Sequence, residues 1–290
     1  MLQNQDRFLG AHQSISGGIH KSILRAVEIK SNALQIFTKN SNRWKGKELN
    51  ESNIKEFFKL KEKFKFEKII AHAPYLVNLA SPNSEIIKKS TESLIEDINN
   101  CLKLKINYLV LHPGSHKGEG EEKGIANISK NLDNILKIFK KENFYILLET
   151  TAGQGNSIGH RLEHLQKIRE KMKYKEKIGY CLDTCHLFAA GYDFRTEQSY
   201  SYLKYQLSTI LGIDNIYAIH VNDSKKDLGS RIDRHEHIGK GFIGKEGFRF
   251  FLNDKDFFNI PFILETPKEN NMDQKNLKIL RELIAENFEL

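Results

Sequence analysis

The sequence predicts a single α/β domain, a closed (β/α)8 barrel of the TIM type, on three observations. Eight short apolar runs of the buried-strand kind recur roughly every 25 to 45 residues. Amphipathic stretches of helical period separate these runs. The length of 290 residues fits such a barrel, which needs about 250 residues. The apolar runs cover residues 8–12, 33–39, 68–75, 107–114, 145–150, 178–186, 216–223 and 261–266.

The stretches between the runs place apolar residues near the 3.6 spacing of an α-helix. The most regular stretch covers 84–104, where Ile87, Leu94 and Ile98 share one face. Alternation of strands and helices with right-handed crossovers produces a parallel sheet, and eight alternations favour closure into a barrel over an open sheet. The other predicted helices cover 19–30, 53–64, 128–141, 160–172, 200–211 and 276–288.

The whole chain, 1–290, is expected to form one domain, because no linker, low-complexity tract or second core interrupts the pattern. The stretch 222–247 after the seventh run has no helical or strand period, and we predict it to be irregular. A stretch of that length without regular structure in a compact domain is usually functional.

Composition narrows the function classes without choosing one. Lys and Arg number 45 against 37 Asp and Glu, which gives a net charge of +8. Such an excess indicates either a solvated lysine-rich surface or a polyanionic partner such as nucleic acid. Three cysteines do not form a disulfide framework in a chain this long, and neither a signal peptide nor a run of 18 apolar residues is visible. We expect a soluble cytoplasmic protein that does not bind membranes.

The apolar runs stop at side chains that ligate metals. The C-terminal ends of barrel strands meet on one face, where active sites of this fold form. Burying several carboxylates together without cations would cost many kcal/mol through desolvation and mutual repulsion. The sequence therefore predicts a metal centre at this face. Its nine candidate ligands are His72, His112, Glu149, Asp183, His186, His220, Asp233, His235 and Glu265.

The spacing of the ligands predicts two to three ions. Asp183 and His186 flank a turn and can reach different ions, whereas Asp233 and His235 in an extended loop point to one side. The nitrogen and oxygen donors suit Zn2+, with Mn2+ or Fe2+ as possible substitutes. Cys181 is assigned to packing in the strand, and Cys185 to filling the turn behind it. Clustered divalent ions are typical of phosphoester hydrolysis, and no GxSxG-type nucleophile motif competes with them.

Long motifs resemble those of the endonuclease IV family, the zinc-dependent apurinic/apyrimidinic endonucleases. The resemblance covers nearly the whole chain, and the two longest motifs are the most specific. The resemblance implies a TIM barrel with three zinc ions per chain. The motifs are GAHQSISGG (10–18), LVLHPGSH (109–116), ETTAGQG (149–155), CLDTCHLFAAGYD (181–193), HVNDSKKDLGSRIDRHEHIGKG (220–241) and ILET (263–266).

The resemblance also implies a role for each ligand. His72 and His112 would bind one zinc ion, and Glu149 would bridge it to a second ion as the central catalytic carboxylate. Two further ligand sets complete the site: Asp183, His220 and Glu265 for the second ion, and His186, Asp233 and His235 for the third. The implied reaction cleaves the phosphodiester 5′ to an abasic site in duplex DNA and leaves a 3′-hydroxyl and a 5′-deoxyribose phosphate. Removal of 3′-blocking groups is implied too.

The resemblance predicts a DNA wedge as well. Tyr75 and Leu76 match the family residues that enter the base stack, although the pair would also suit a simple loop cap. The family commonly has an Arg in the second loop, where this chain has Asn42, and Arg43 follows one residue later. His12 matches no zinc ligand and is expected to form a hydrogen bond behind the ligands. A monomer associated with the bacterial nucleoid is expected.

Two other functions would also explain a barrel with a metal site. A sugar isomerase or epimerase of the xylose isomerase type shares the barrel and a metal site. It needs fewer ions, however, and neutral sugars give no reason for a basic surface. A non-catalytic DNA-binding protein with structural metal is the second alternative. Structural sites are closed by four protein ligands and are rich in Cys, whereas the predicted ligands are too few to close three sites.

Overall fold

Eight parallel strands close into a barrel in the computed structural model, which describes residues 7–269 and 271–284. Each strand pairs with its neighbours along the chain, and the last strand pairs with the first, as Leu9 opposite Phe262 shows. The predicted TIM barrel is confirmed. The barrel strands are β1 (Leu9–His12), β2 (Ala33–Phe37), β3 (Lys68–His72), β4 (Tyr108–Leu111), β5 (Tyr145–Glu149), β6 (Ile178–Asp183), β7 (Ile216–His220) and, after a short hairpin formed by β8 (Asp223–Ser224) and β9 (His235–Glu236), β10 (Phe262–Leu264).

Helices cover the outside of the barrel and overlap every predicted helix. In the described residues they are α1 (Lys21–Glu28), α2 (Glu51–Lys63), α3 (Ser84–Lys103), α4 (Glu121–Leu136), α5 (Leu162–Glu170), α6 (Thr184–Ala190), α7 (Glu197–Gln206), α8 (Gly244–Asn253) and α9 (Met272–Leu283). The helix predicted at 276–288 begins earlier, at Met272, and residues 285–288 lie outside the described residues. None of the described helices is both long and apolar enough to cross a membrane.

The helix predicted at 128–141 was wrong at both ends. Helix α4 begins at Glu121 and ends at Leu136. Its first turn carries Glu121 and Glu122, which favour a helix N-terminus electrostatically but give no apolar period. The apolar face that marks the helix starts only at Ile125.

Two helices were missed by the sequence reasoning. Helix α6 buries almost every side chain, so no amphipathic period marks it. The carboxylate of Asp183 accepts the N–H of His186 at 2.8 Å and caps the start of this helix. Helix α8 begins with Gly244 and Gly247, residues of low helix propensity that obscure the pattern.

The prediction that 222–247 is irregular was wrong in part, because β8, β9 and the start of α8 lie within it. A buried carboxylate organises the segment. Asp223 accepts backbone N–H groups from Gly239 at 2.9 Å, Gly241 at 3.0 Å and Ile243 at 3.0 Å. Hydrophobic periodicity cannot predict these hydrogen bonds, because they join a single side chain to backbone groups that are distant in sequence.

Side chains inside the barrel form layers, because alternate residues of each strand point inward. On β5, Tyr145, Leu147 and Glu149 follow one another toward the C-terminal end of the barrel. The middle layer is apolar, the lower layer is aromatic, and the upper layer carries the titratable side chains. The buried middle layer consists of Ala33, Ile70, Val110, Leu147, Cys181, Ala218 and Ile263.

Candidate metal centre

The structure brings all nine predicted ligands together at the C-terminal end of the barrel. Four of them are the last residues of strands β3, β5, β6 and β7, and His112 and Glu265 directly follow β4 and β10. His186 lies in the first turn of α6. Metal-ligating atoms at this end fall within 4.8 Å of one another in four overlapping groups: His72, His112 and Glu149; Glu149, Asp183, His220 and Glu265; Asp183, His186 and His235; and Cys185, Asp233 and His235.

Glu149 lies between the first two groups and presents one carboxylate oxygen to each. Its Oε2 is 3.0 Å from His72 Nε2 and 2.9 Å from His112 Nε2. Its Oε1 is 2.9 Å from His220 Nδ1, which also lies 3.2 Å from Glu265 Oε2. A carboxylate placed in this way can bridge two cations.

The loop residue Asp233 lies beside the third group and forms the fourth with Cys185 and His235. Its two oxygens lie 3.2 Å from His186 Nε2 and 3.4 Å from His235 Nε2. Both nitrogens are buried, and neither makes a hydrogen bond within the described residues. Two buried imidazole nitrogens without a hydrogen bond, both beside carboxylates, fit a divalent cation that accepts their lone pairs.

Three histidines are oriented by a hydrogen bond from Nδ1 to a backbone carbonyl, which turns Nε2 toward the cluster. Nδ1 of His72 lies 2.6 Å from Ala73 O, that of His186 lies 2.8 Å from Thr150 O, and that of His235 lies 3.2 Å from Glu265 O. A carbonyl oxygen accepts only an N–H, so each Nδ1 carries a hydrogen and each Nε2 is the nitrogen that faces the centre. This arrangement is the common support of a metal-bound histidine.

His220 is held in the reverse orientation by Gln35. Its Nε2–H donates to Gln35 Oε1 at 2.7 Å, so Nδ1 points toward Glu149 and Glu265. The amide nitrogen of Gln35 donates to Glu265 Oε1 at 2.6 Å. One glutamine thereby orients a nitrogen ligand and an oxygen ligand together.

The charges of the cluster stabilise one another. Burial alone would raise the pKa of Glu149, but His112 and His220 hold that pKa well below its usual range. Burial would likewise lower the pKa of His112, yet Glu149 raises it above the usual value. Glu149 is therefore ionised and has positive charge beside it, in a position that also suits a divalent cation.

Cys181 and Cys185 are both buried, as expected of packing residues, and Cys185 also lies within ligand distance of Asp233 and His235. Burial raises the pKa of Cys181 to about 11 and that of Cys185 to about 12, so both remain thiols at neutral pH. Thiolates are the metal-ligating form. Cys185 lies in helix α6 rather than in a turn.

Sequence reasoning missed two supporting residues, Gln35 and Asn222. Asn222 donates to Asp183 Oδ2 at 2.7 Å and accepts Glu265 N–H at 2.8 Å. A signal was present in each case, since Gln35 interrupts an apolar strand and Asn222 follows His220 in a buried run. His12 lies behind the ligands, as predicted, 3.0 Å from the Gln35 amide nitrogen.

The residues of the predicted DNA wedge lie in two separate parts of the structure. Tyr75 is 62% exposed and Leu76 37%, and the Tyr75 ring packs 5.6 Å from His72 and 5.8 Å from His112. Tyr75 and Leu76 thus stand beside the metal ligands. Asn42 and Arg43 lie in the exposed loop after β2, and Arg43 lines a cavity there with Lys45.

The closed (β/α)8 barrel, with five histidines and four carboxylates at its upper end, defines a TIM-barrel protein whose side-chain clusters could hold metal ions. Comparison with known proteins narrows this class. The family described as xylose isomerase-like TIM barrel matches residues 23–285. The chain is 43% identical to a probable endonuclease 4 of Chloroflexus aggregans, covering 95% of this chain and 97% of that protein.

A probable endonuclease 4 of Geobacter sulfurreducens is 44% identical, covering 96% of this chain and 94% of the relative. The crystal structure of endonuclease IV from Thermus thermophilus superposes with a TM-score of 0.84 at 33% identity, covering 96% and 98% of the two chains. A D-tagatose 3-epimerase-like protein superposes with a TM-score of 0.73 at 22% identity, which shows a shared fold. The chain belongs to the endonuclease IV family within the xylose isomerase-like TIM barrels.

Proposed function

We propose that this protein is a DNA-repair endonuclease that uses three zinc ions to hydrolyse the phosphodiester 5′ to abasic sites in duplex DNA. The observation that carries the proposal is the position of Glu149, whose two oxygens face two separate ligand groups at 2.9 to 3.0 Å. A carboxylate between two cation positions, with a third group beside it, is the arrangement of a multi-metal phosphoesterase.

Each ligand group has a defined task in this proposal. His72 and His112 would hold one ion, Asp183, His220 and Glu265 would hold a second, and Glu149 would be a ligand of both. His186, Asp233 and His235 hold the third. When bound, the ions supply a water of lowered pKa and positive charge for the phosphate oxygens. Mn2+ or Fe2+ can occupy the same nitrogen and oxygen donors.

The charge balance of the site suits a phosphodiester. Three divalent ions bring six positive charges against the four ligand carboxylates, so the loaded site is electropositive. Lys225 and Arg234 line the same cavity of about 400 Å³ as His112, His186 and Asp233. Such cations contact DNA phosphates in a salt-dependent manner.

The chain's own residues position the strand that is cut. Tyr75 and Leu76, exposed beside the ligands, enter the stack where a base is missing and hold the sugar toward the metal centre. A water oxygen bonds to phosphorus, and the bond from phosphorus to the 3′ oxygen of the preceding nucleotide breaks. The products are a 3′-hydroxyl and a 5′-deoxyribose phosphate. The same site would also remove 3′-blocking groups. One chain supplies all nine ligands, so a monomer would suffice for activity.

A nicking assay tests the proposal. We expect the zinc-loaded protein to nick a duplex with one abasic-site analogue on its 5′ side, to lose this activity on chelation and to regain it with Zn2+. The same duplex without the lesion is the control. If the fully metallated protein leaves the lesion duplex intact but interconverts aldoses and ketoses, the sugar-isomerase alternative replaces the proposal.

A further inference from the structure

A second cluster of metal-ligating side chains lies at the N-terminal ends of α4 and α5. Glu121 is the first residue of α4, His164 lies in the first turn of α5, and His160 precedes that helix. One ligand atom from each falls within 4.8 Å of the other two. The cluster shares no residue with the nine ligands of the barrel mouth.

The spacing within this cluster suits a single ion. His164 Nε2 lies 3.2 Å from Glu121 Oε2, and His160 Nε2 lies 3.7 Å from Glu121 Oε1. A tetrahedral zinc ion with bonds of about 2.0–2.1 Å separates its ligand atoms by about 3.3 Å. The two imidazole rings are perpendicular, with centroids 4.8 Å apart.

Both histidines direct Nε2 toward the carboxylate of Glu121. His160 Nδ1–H donates to Ser157 O at 3.2 Å, which leaves Nε2 as an acceptor. His164 Nε2 lies 2.9 Å from Arg161 Nε and 3.2 Å from Glu121 Oε2, and the backbone N–H of Gly159 donates to Nδ1 of the same ring at 3.3 Å. Burial lowers the pKa of His164 to about 4 and also lowers the pKa of His160, so both rings are neutral at neutral pH.

We propose that Glu121, His160 and His164 form a peripheral site for one divalent cation of the zinc class, in competition with the guanidinium of Arg161. Arg161 Nη2 now pairs with Glu121 Oε2 at 2.5 Å, so a positive charge already occupies this position. The Arg161 side chain is 54% exposed and can leave toward solvent. Two imidazoles and one carboxylate are a common zinc ligand set, with the fourth position left to water.

The peripheral ion braces a loop of the catalytic centre. The His160 ring packs against Gly153, where an added Cβ would lie 3.0 Å from it. In the same loop, Gln154 Oε1 accepts the backbone N–H of Asp233 at 3.1 Å. An ion that fixes His160 therefore steadies the loop that holds one ligand of the barrel mouth.

Counting zinc in matched variants tests the proposal. Wild type, the double variant His160→Gln/His164→Gln and Arg161→Gln are equilibrated at the same buffered free Zn2+, and zinc per chain is measured. The double variant should hold one ion fewer than wild type. Arg161→Gln should keep that ion and bind it more tightly, because the competing cation is gone.

The barrel mouth, meaning the nine-ligand site at the C-terminal end of the barrel, is the same in wild type and the double variant. The difference in zinc bound per chain between these two proteins therefore counts only the peripheral ion. Glu121→Gln, a change at a partly exposed position, provides a second test if the double variant does not fold. Glu121→Gln should lose the same ion. When Zn2+ is added beyond the concentration that fills the barrel mouth, the Tm of Arg161→Gln should rise and the Tm of Glu121→Gln should not. Equal zinc content and equal Tm shifts in folded variants would overturn the peripheral site and leave the proposed nuclease activity untouched.

Discussion

The upper and lower ends of the barrel are built on the same strands and differ in what holds them together. Strand β4 and the residue after it present Tyr108, Val110 and His112 at successive levels. At the lower end, Tyr108 stacks on Tyr217 with ring centroids 5.2 Å apart, and burial raises the pKa of both. At the upper end, the histidines and carboxylates of the candidate metal centre face one another.

This difference separates stability from function. The apolar middle layer and the aromatic rings stabilise the fold by removing carbon surface from water. The upper layer buries carboxylates, whose desolvation must be offset by imidazoles and cations. Substitutions in the middle layer should therefore lower the free energy of unfolding, and substitutions in the upper layer should lower activity.

The largest expected effect is that of Glu149→Gln. Loss of the bridging charge should lower turnover by about two to three orders of magnitude, the range found when one charge-stabilising group is removed from an active site. Affinity for abasic DNA should change far less, because the strand is held by other residues. Single-turnover cleavage and equilibrium binding measure the two quantities. Equal losses in both would mean that Glu149 only supports the fold.

The middle layer gives the complementary prediction. Leu147→Ala should lower the free energy of unfolding by about 2–5 kcal/mol, since Leu147 is fully buried and its loss leaves a cavity. The folded fraction should keep its cleavage rate. Denaturant unfolding is the measurement, and Ile263→Val, a milder change in the same layer, should cost about 0.5–1.5 kcal/mol. A large loss of activity in folded Leu147→Ala would remove the distinction between the layers.

Gln35→Ala tests the support of the upper layer. Without the amide that orients His220 and Glu265, metal affinity or activity should fall about 10- to 100-fold. A metal titration measures this change. Gln13 is the matched control, a buried glutamine that donates to Asp273 at 3.0 Å instead, and Gln13→Ala should leave metal affinity unchanged. Equal effects of the two substitutions would contradict the orienting role.

The smallest effect is expected for Tyr75→Ala. Loss of the exposed ring beside the ligands should reduce discrimination of abasic from intact duplex by about 1 kcal/mol, the lower end of the range for base stacking on an aromatic side chain. Competition binding measures it. Tyr202→Ala is the control, because Tyr202 is 64% exposed on α7. If Tyr75→Ala binds both duplexes as wild type does, Tyr75 is a loop cap.

The upper end was more predictable from sequence than the helices around it. His72, Glu149 and His220 end apolar strands, and parallel strands bring their C-terminal ends together, so local pattern and topology suffice. Helix α6 was not predictable in the same way, because full burial removes the period that marks a helix. The role of Gln35 depends on register between β2 and two distant strands, which a single sequence does not specify.

The peripheral cluster shows a further limit of sequence reasoning. His160 lies just before helix α5, and the sequence around it does not point to Glu121. Glu121 lies 39 residues earlier and completes the cluster only because α4 and α5 pack side by side. Contacts between two helices depend on tertiary packing, so a short sequence motif does not predict them.

Anomalous diffraction at the zinc edge, recorded from crystals of protein that nicks abasic DNA, tests the central claim most directly. It locates ions as well as counting them, so it separates the barrel mouth from the peripheral cluster. We expect three peaks in the mouth, with one between Glu149, His72 and His112. One peak or none at that end of the barrel in active protein would contradict the account.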